Sequence, residues 1–323
     1  MPFRRRAFLR VAVAAAALPA VARMAGAGVY PSRPLHLLVG YPPGLAPDIV
    51  ARLIAQFLSE RLGQQVIVEN RPGAGSNIAA EAVVRAAPDG YTVLLVTSTN
   101  TINATLYDNL SFDLLRDISP VAGIAAATFV VVVSPSLPVK SIPELIAYAK
   151  SNPGKINMAS AGNGTASHVF GEMFKAMTGV DLLHVPYRGN YYSDLMAGQM
   201  HVAFTAVASS IGYIRSGKFR VLAVTGATRA EVLPDVPTVA EFVPGYEATG
   251  WYGVGAPKDT APEIIDHLNK SINAALADPK LVARIVDLGN SPLSIAPAEF
   301  GKLMAEETEK WRKVIRMAKI KPE

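Results

Sequence analysis

The sequence predicts an α/β protein of two domains, each a mostly parallel sheet with helices on both faces. Three observations carry that reading. Past residue 34 the chain runs strand, helix, strand, helix, strand within ~60 residues, the pattern of a parallel, doubly wound sheet. A strand, a glycine loop and a helix start occur at residues 35–62 and recur from residue 156 onward. The ~296 residues that follow a basic leader are also enough for two domains.

The opening unit is Leu35-His36-Leu37-Leu38-Val39-Gly40-Tyr41-Pro42-Pro43-Gly44-Leu45-Ala46-Pro47-Asp48. Its apolar run reads as a buried strand. Ile49, Val50, Leu53, Ile54, Phe57, Leu58 and Leu62 then repeat at helical spacing. Pro47 suits a first helical turn, where no N–H is needed, and Asp48 complements the positive end of the helix dipole. Free N–H groups at such a helix start favour an anion.

A strand follows at residues 65–69, then the loop Asn70-Arg71-Pro72-Gly73-Ala74-Gly75-Ser76, a helix over 77–87 and a strand over 91–96. Residues 97–103 read as a loop at the carboxyl end of that strand, the edge where such sheets bind ligands. Phe129 to Val133 is β-branched enough to be a strand buried on both faces. Ser141-Ile142-Pro143-Glu144 is a capping box opening a helix to Lys150. A strand at 156–159 leads into Gly162-Asn163-Gly164-Thr165-Ala166-Ser167-His168 and a helix burying Val169, Phe170, Met173, Phe174 and Met177.

Further strands are expected at 182–185, 202–205 and 220–225, and residues 246–256 read as extended. Thr260-Ala261-Pro262-Glu263 reads as another capping box. Helices are expected to about Ala277, from Pro279 to about Leu288, and from Pro297 to Ala318. The last pairs Glu306 with Lys310 and Glu309 with Lys313 at four-residue spacing.

The first 27 residues read as an export signal. Arg4, Arg5, Arg6 and Arg10 precede the apolar stretch from Val11 to Ala22, and Ala25-Gly26-Ala27 offers a cleavage site. Arg5-Arg6-Ala7-Phe8-Leu9-Arg10 is similar to the twin-arginine export motif, with Arg10 where lysine is usual. These residues hold five arginines and no acid, so removing them from the 31 bases leaves 26 against 26 acids. The neutral remainder gives no ground for nucleic acid or an anionic membrane surface as partner. The absence of cysteine excludes disulfides, thiolate metal sites and a cysteine nucleophile.

Catalysis finds little support. No Gly-x-Ser-x-Gly elbow occurs, Gly73-Ala74-Gly75-Ser76 lacks the lysine of a phosphate loop, and His36, His168, His184, His201 and His267 show no metal-ligand spacing. The reading is therefore a binding protein with no catalytic residues, no cofactor and no metal.

Seven stretches carry a family resemblance. They are Tyr30-Pro31-Ser32-Arg33-Pro34, Glu69-Asn70-Arg71-Pro72-Gly73-Ala74-Gly75, Ala87-Pro88-Asp89-Gly90-Tyr91-Thr92, Ala159-Ser160-Ala161-Gly162-Asn163-Gly164, His184-Val185-Pro186-Tyr187-Arg188-Gly189, Leu222-Ala223-Val224-Thr225 and Leu233-Pro234-Asp235-Val236-Pro237-Thr238-Val239. Together they resemble the Bug family, the extracytoplasmic solute receptors of tripartite tricarboxylate transporters. The resemblance implies a two-lobed periplasmic binding protein of type II kind, closing on a small organic carboxylate for the transporter's membrane subunits and working as a monomer. It divides the chain into a leader (1–27), a first lobe (28–129 and 249–323) and a second lobe (130–248). A rival with the same fold is a receptor feeding a signalling partner; a secreted hydrolase is another.

Carried onto this chain, the resemblance implies two ligand loops, Gly44-Leu45-Ala46-Pro47-Asp48 and Gly164-Thr165-Ala166-Ser167-His168. The family's first loop usually reads Pro-Gly-Gly-x-x-Asp, so Leu45 and Pro47 depart from it, and fewer N–H groups face a ligand here. Thr205 stands where many members carry aspartate, which disfavours amino-acid ligands. Asp48 orders the first loop or is only a helix-start charge. Thr165 and Ser167 reach the carboxylate or merely cap a helix. Tyr41, Tyr191, Tyr192 and Trp251 wall the ligand or simply pack, and Arg188 pairs with a carboxylate or stays solvated. Asn100 and Asn103 are cleft donors or turn formers.

Mass spectrometry of the native protein tests the leader: a start just after Ala27 is expected, and an intact Met1 or Pro2 start would refute export with cleavage.

Overall fold

In a computed structural model that describes residues 30–321, the apolar run Leu35–Val39 is β1, buried along most of its length. The expected leader lies outside the described residues. Tyr30–Ser32, with a cis Tyr30–Pro31 bond, belongs to a short N-terminal unit, and Arg33 begins the main one. From β1 the chain runs through α1 (Ala46–Leu62), β2 (Val66–Asn70), α2 (Asn77–Val84), β3 (Thr92–Thr97), α3 (Ser98–Leu106), α4 (Leu114–Asp117) and β4 (Ile118–Ala127). Thr128 alone separates β4 from β5 (Phe129–Val133). Then come α5 (Ile142–Ser151), β6 (Ile156–Ser160), α6 (Ala166–Thr178), β7 (Leu182–Pro186), α7 (Tyr192–Met196), β8 (Val202–Ala206), α8 (Val207–Arg215) and β9 (Arg220–Val224). The remainder is β10 (Gly250–Pro257), α9 (Pro262–Leu276), α10 (Pro279–Asp287), β11 (Asn290–Pro292) and α11 (Pro297–Ala318).

These strands make two sheets, and with their helices two lobes. One has the order β11-β4-β10-β3-β1-β2, the other β7-β6-β8-β5-β9. The chain leaves the first sheet at Thr128 and returns to it between Val224 and Gly250. The two crossings are stitched together: Thr225 N donates to Phe129 O at 2.9 Å, and the Thr225 hydroxyl donates to Ala248 O at 2.6 Å.

Both sheets are mixed, which corrects the expectation of mostly parallel ones. β1 lies parallel to β2 and β3, and β6 parallel to β7 and β8, because helices return the chain between those neighbours. β10 arrives from the other sheet and runs antiparallel to β3 and β4, while β5 runs antiparallel to β8 and β9. β4 was not expected at all. Its Pro120 and Gly123 mask a strand pattern, and its register against β10 slips twice.

Other local expectations change for identifiable reasons. Residues 98–106 are helical, because Thr97 and Asn100 cap each other directly off the strand. Ala261 rather than Thr260 caps α9, the Thr260 hydroxyl having turned to Pro257 O at 2.7 Å. On α11, Glu306 pairs with Lys302, Glu307 with Lys310 and Glu309 with Arg312, displacing the two expected pairs.

The first lobe's core joins Leu38, Val83, Leu94, Val96, Ile118 and Trp251 to Phe300 and Met304 of α11. Burying each such side chain contributes ~1.5–3 kcal/mol. The second lobe packs Val130, Val132, Tyr191, Tyr192, Leu195 and Phe219 together. Trp311 of α11 stacks on Phe170 of α6, with centroids 5.1 Å apart, so one ring pair bridges the lobes.

Gly253 is where α11 rests on the sheet. A Cβ there would meet Phe300 at 2.2 Å and Ala122 O at 2.7 Å. Gly253→Ala should therefore cost about 1–3 kcal/mol by overpacking, read as a lowered denaturant midpoint with an unchanged slope. An unchanged midpoint would show that α11 yields at no cost.

Candidate functional site

The first loop is built around Asp48, which is only 3 % exposed. Its carboxylate accepts from Gly44 N at 2.9 Å, Asn70 Nδ2 at 2.8 Å and Arg52 Nε at 2.9 and 3.0 Å. Gly44 turns there with φ +83°, a conformation that suits glycine. Burial alone would raise the Asp48 pKa; the bonds from Arg52, Gly44 and Asn70 outweigh it and hold the group below the usual carboxylate range. Asp48 thus stays ionised, while Arg52 balances its charge beside the start of α1.

The second loop satisfies its own hydroxyls. Thr165 Oγ1 donates to Gly162 O at 2.6 Å and lies 2.9 Å from Ser167 Oγ, which accepts from Ala161 N at 3.0 Å. Gly164 N donates to His168 Nδ1 at 3.2 Å, so that ring nitrogen carries no proton. His168 stacks on His184, centroids 4.0 Å apart, and His184 Nε2 meets Ser160 Oγ at 2.7 Å. Burial, then the charges of His184 and Lys175, push the His168 pKa down to about 3.

Between the lobes lies a narrow cavity of about 50 Å³ that opens toward solvent. Four helices begin at its wall. α1 presents Ala46 and Pro47, α3 Ser98 and Thr99, α6 Ala166 and Ser167, and α8 its cap Ala206 with Ser209. Two follow β1 and β3 of the first sheet; two follow β6 and β8 of the second. Each helix start carries roughly half a positive charge, and no charged side chain is among the residues that wall the cavity. Helix starts arranged in this way favour an anion.

One side-chain oxygen bridges the two lobes at this point. Thr99 Oγ1 accepts from Ala166 N at 3.0 Å and contacts Tyr41 OH at 2.5 Å. The first N–H groups Ser98, Thr99 and Ser167 have no protein acceptor among the described residues. On the opposite wall Tyr192 OH lies 2.7 Å from Thr205 Oγ1 and 2.5 Å from Ser209 Oγ. Burial raises the Tyr41 pKa to about 12, and raises those of Tyr191, Tyr192 and Tyr252 as well, so these hydroxyls stay protonated.

Of the residues singled out in the sequence, Tyr41, Leu45, Ala46, Pro47, Ala166, Ser167, Tyr191, Tyr192 and Thr205 wall this cavity. Thr165 and Arg188 border a wider outer cleft instead, where Arg188 is exposed. Gly44 and Asp48 shape the first loop from behind. Asn100 is spent on capping α3, its Oδ1 accepting from Thr97 N at 2.8 Å. Asn103 donates to Gly75 O at 2.5 Å, and its Oδ1 lies where a Cβ on Gly164 would meet it at 2.4 Å. Gly164 is therefore a packing requirement against α3. Ser98, Thr99, Ser209, Phe129 and Tyr252 were not singled out. Tyr252 is one position from Trp251, and strand alternation decides between them: Trp251 packs on Phe300, so Tyr252 turns to the cavity.

Comparison with known proteins places this geometry among relatives. The family described as "Tripartite tricarboxylate transporter family receptor" matches residues 50–320. Protein BugT of Bordetella pertussis is 35 % identical over 301 residues, 92 % of each chain. A structure described as Rhodopseudomonas palustris Rpa4515 with adipate is 35 % identical at TM-score 0.88, covering 91 % of this chain and all of that one. MatC of Rhodopseudomonas palustris with bound malate is 30 % identical at TM-score 0.85, covering 88 % and 100 %.

The histidine pair makes the second loop acid-sensitive. His168 is neutral when folded and titrates near 6.5 when unfolded, so its contribution is complete above pH 6.5 and lost as pH falls toward about 3. Urea unfolding from pH 7 to pH 4 should show a loss of up to ~1.4 kcal/mol per pH unit from this group. His168→Asn keeps an acceptor for Gly164 N without the titration and should flatten that slope; an identical slope would absolve His168.

Proposed function

The chain belongs to the tripartite tricarboxylate transporter receptor family, and we propose that this solute-binding receptor captures a small organic carboxylate between its lobes and delivers it to the membrane subunits of such a transporter. The observation that carries the reading is the meeting of four helix starts on one cavity without a charged side chain. The carboxylate takes the place of the Thr99 hydroxyl at Ala166 N and adds Ser167 N, Ser98 N and Thr99 N as donors. Charge-assisted bonds of this kind are worth ~1.5–3 kcal/mol each. The relatives with adipate and with malate support carboxylates as the ligand class.

The lobes, 28–129 with 249–323 and 130–248, close about the stitched crossings at Thr128 and Thr225–Ala248. Closure excludes water and strengthens the helix-end interactions. Capture involves no chemistry and proceeds in the periplasm after export. Thr205 and the uncharged wall favour a ligand without an ammonium group, for which no acid is present at the cavity.

A thermal-shift panel tests this. A ligand at a hundred times its Kd stabilises the native state by ~2.7 kcal/mol, so carboxylic acids should raise the melting temperature and amino acids should not. A panel in which only amino acids act would overturn the ligand class, and one in which no acid acts would overturn the receptor reading.

A further inference from the structure

Among the tyrosine hydroxyls at the cavity, that of Tyr252 stands apart. The hydroxyls of Tyr41 and Tyr192 are bonded to Thr99 and to Thr205 and Ser209. Tyr252, only 3 % exposed, walls the same cavity and its hydroxyl has no protein partner among the described residues. A tyrosine hydroxyl in a largely apolar wall ordinarily finds a partner, so this one is open to an acceptor on a ligand. Around it stand the rings of Tyr41, Phe129, Tyr191 and Tyr192, five aromatic rings with its own.

The N–H supply points to a single carboxylate place. The free donors of α3 and α6 meet at one spot, because Thr99 Oγ1 touches Ala166 N at 3.0 Å. Elsewhere the supply is thinner: Pro47 has no N–H, and Val207 N at the start of α8 is already given to Thr128 O at 2.9 Å. The wall near α8 offers hydroxyls rather than charge, and a second carboxylate there would be buried without a cation.

We propose that the ligand is an aromatic acid with one carboxylate, seated at the α3 and α6 starts, and an uncharged ring oxygen that accepts a hydrogen bond from Tyr252. This rests on the carboxylate-capture reading and makes Tyr252 the specificity-determining residue. The flat ring packs among these aromatic side chains once the lobes part to admit it, and its oxygen accepts from the Tyr252 hydroxyl. A site built to bond a ligand oxygen discriminates strongly against an analogue lacking it, because its own donor is then stranded.

Calorimetry on the full chain with 3- and 4-hydroxybenzoate, benzoate and adipate tests the proposal. At least one hydroxybenzoate should bind ten-fold or more tighter than both benzoate and adipate. Tyr252→Phe, which keeps the ring and the packing, should weaken that hydroxybenzoate about ten-fold and leave benzoate within two-fold. Adipate binding more tightly than every aromatic acid would overturn this proposal while leaving carboxylate capture intact. An equal loss for benzoate and hydroxybenzoate in the variant would remove Tyr252 from ligand selection. No binding by any of the four would overturn both readings.

Discussion

Helix starts that meet at a domain interface leave N–H groups that the helix itself cannot satisfy, and the architecture between the lobes follows from that constraint. Here α1, α3, α6 and α8 all point their positive ends at one space. Among the described residues, Ala166 N finds its acceptor in the Thr99 hydroxyl of the other lobe, and Val207 N in Thr128 O. In the proposed reading a carboxylate would take the place of that hydroxyl through a stronger, charge-assisted bond. Binding would then be coupled to closure.

The rest of the chain keeps those four starts in register. Asp48 gathers Gly44, Asn70 and Arg52 behind the first loop, with its charge balanced before it can oppose the ligand's. His168 does the equivalent for the second loop, accepting from Gly164 N as a neutral ring stacked on His184. Asn103 of α3 sits against Gly164, so the loop of one lobe is shaped to the helix of the other. Further out, the Phe170–Trp311 stack joins the lobes, and the Thr225 bonds to Phe129 and Ala248 tie the two crossing strands together.

Much of this is legible in the sequence where the signal is local. The starts of α1 and α6 are marked by glycine loops before amphipathic helices, and α11 is found with its ends at Pro297 and Ala318. The starts of α3 and α8 are not marked. Both leave their strands with no intervening residue, and Ser98-Thr99-Asn100-Thr101 has the look of a loop because hydroxyl and amide side chains compete with the backbone. Strand direction is likewise absent from a local pattern, so β10, inserted antiparallel between β3 and β4, turns an expected parallel sheet into a mixed one. Thr165 and Arg188 looked like ligand contacts by residue type, yet the first is consumed within its loop and the second faces the outer cleft. Tyr252 escaped notice because a one-residue shift along a strand reverses which face a side chain occupies.

In the proposed receptor, backbone N–H groups at the α3 and α6 starts hold the ligand's carboxylate. A crystal structure with a bound carboxylate is the decisive test. Carboxylate oxygens are expected within hydrogen-bond distance of Ala166 N and Ser167 N, with the Thr99 hydroxyl displaced from Ala166. A carboxylate seated in the outer cleft against Arg188, with the Thr99–Ala166 bond intact, would contradict it.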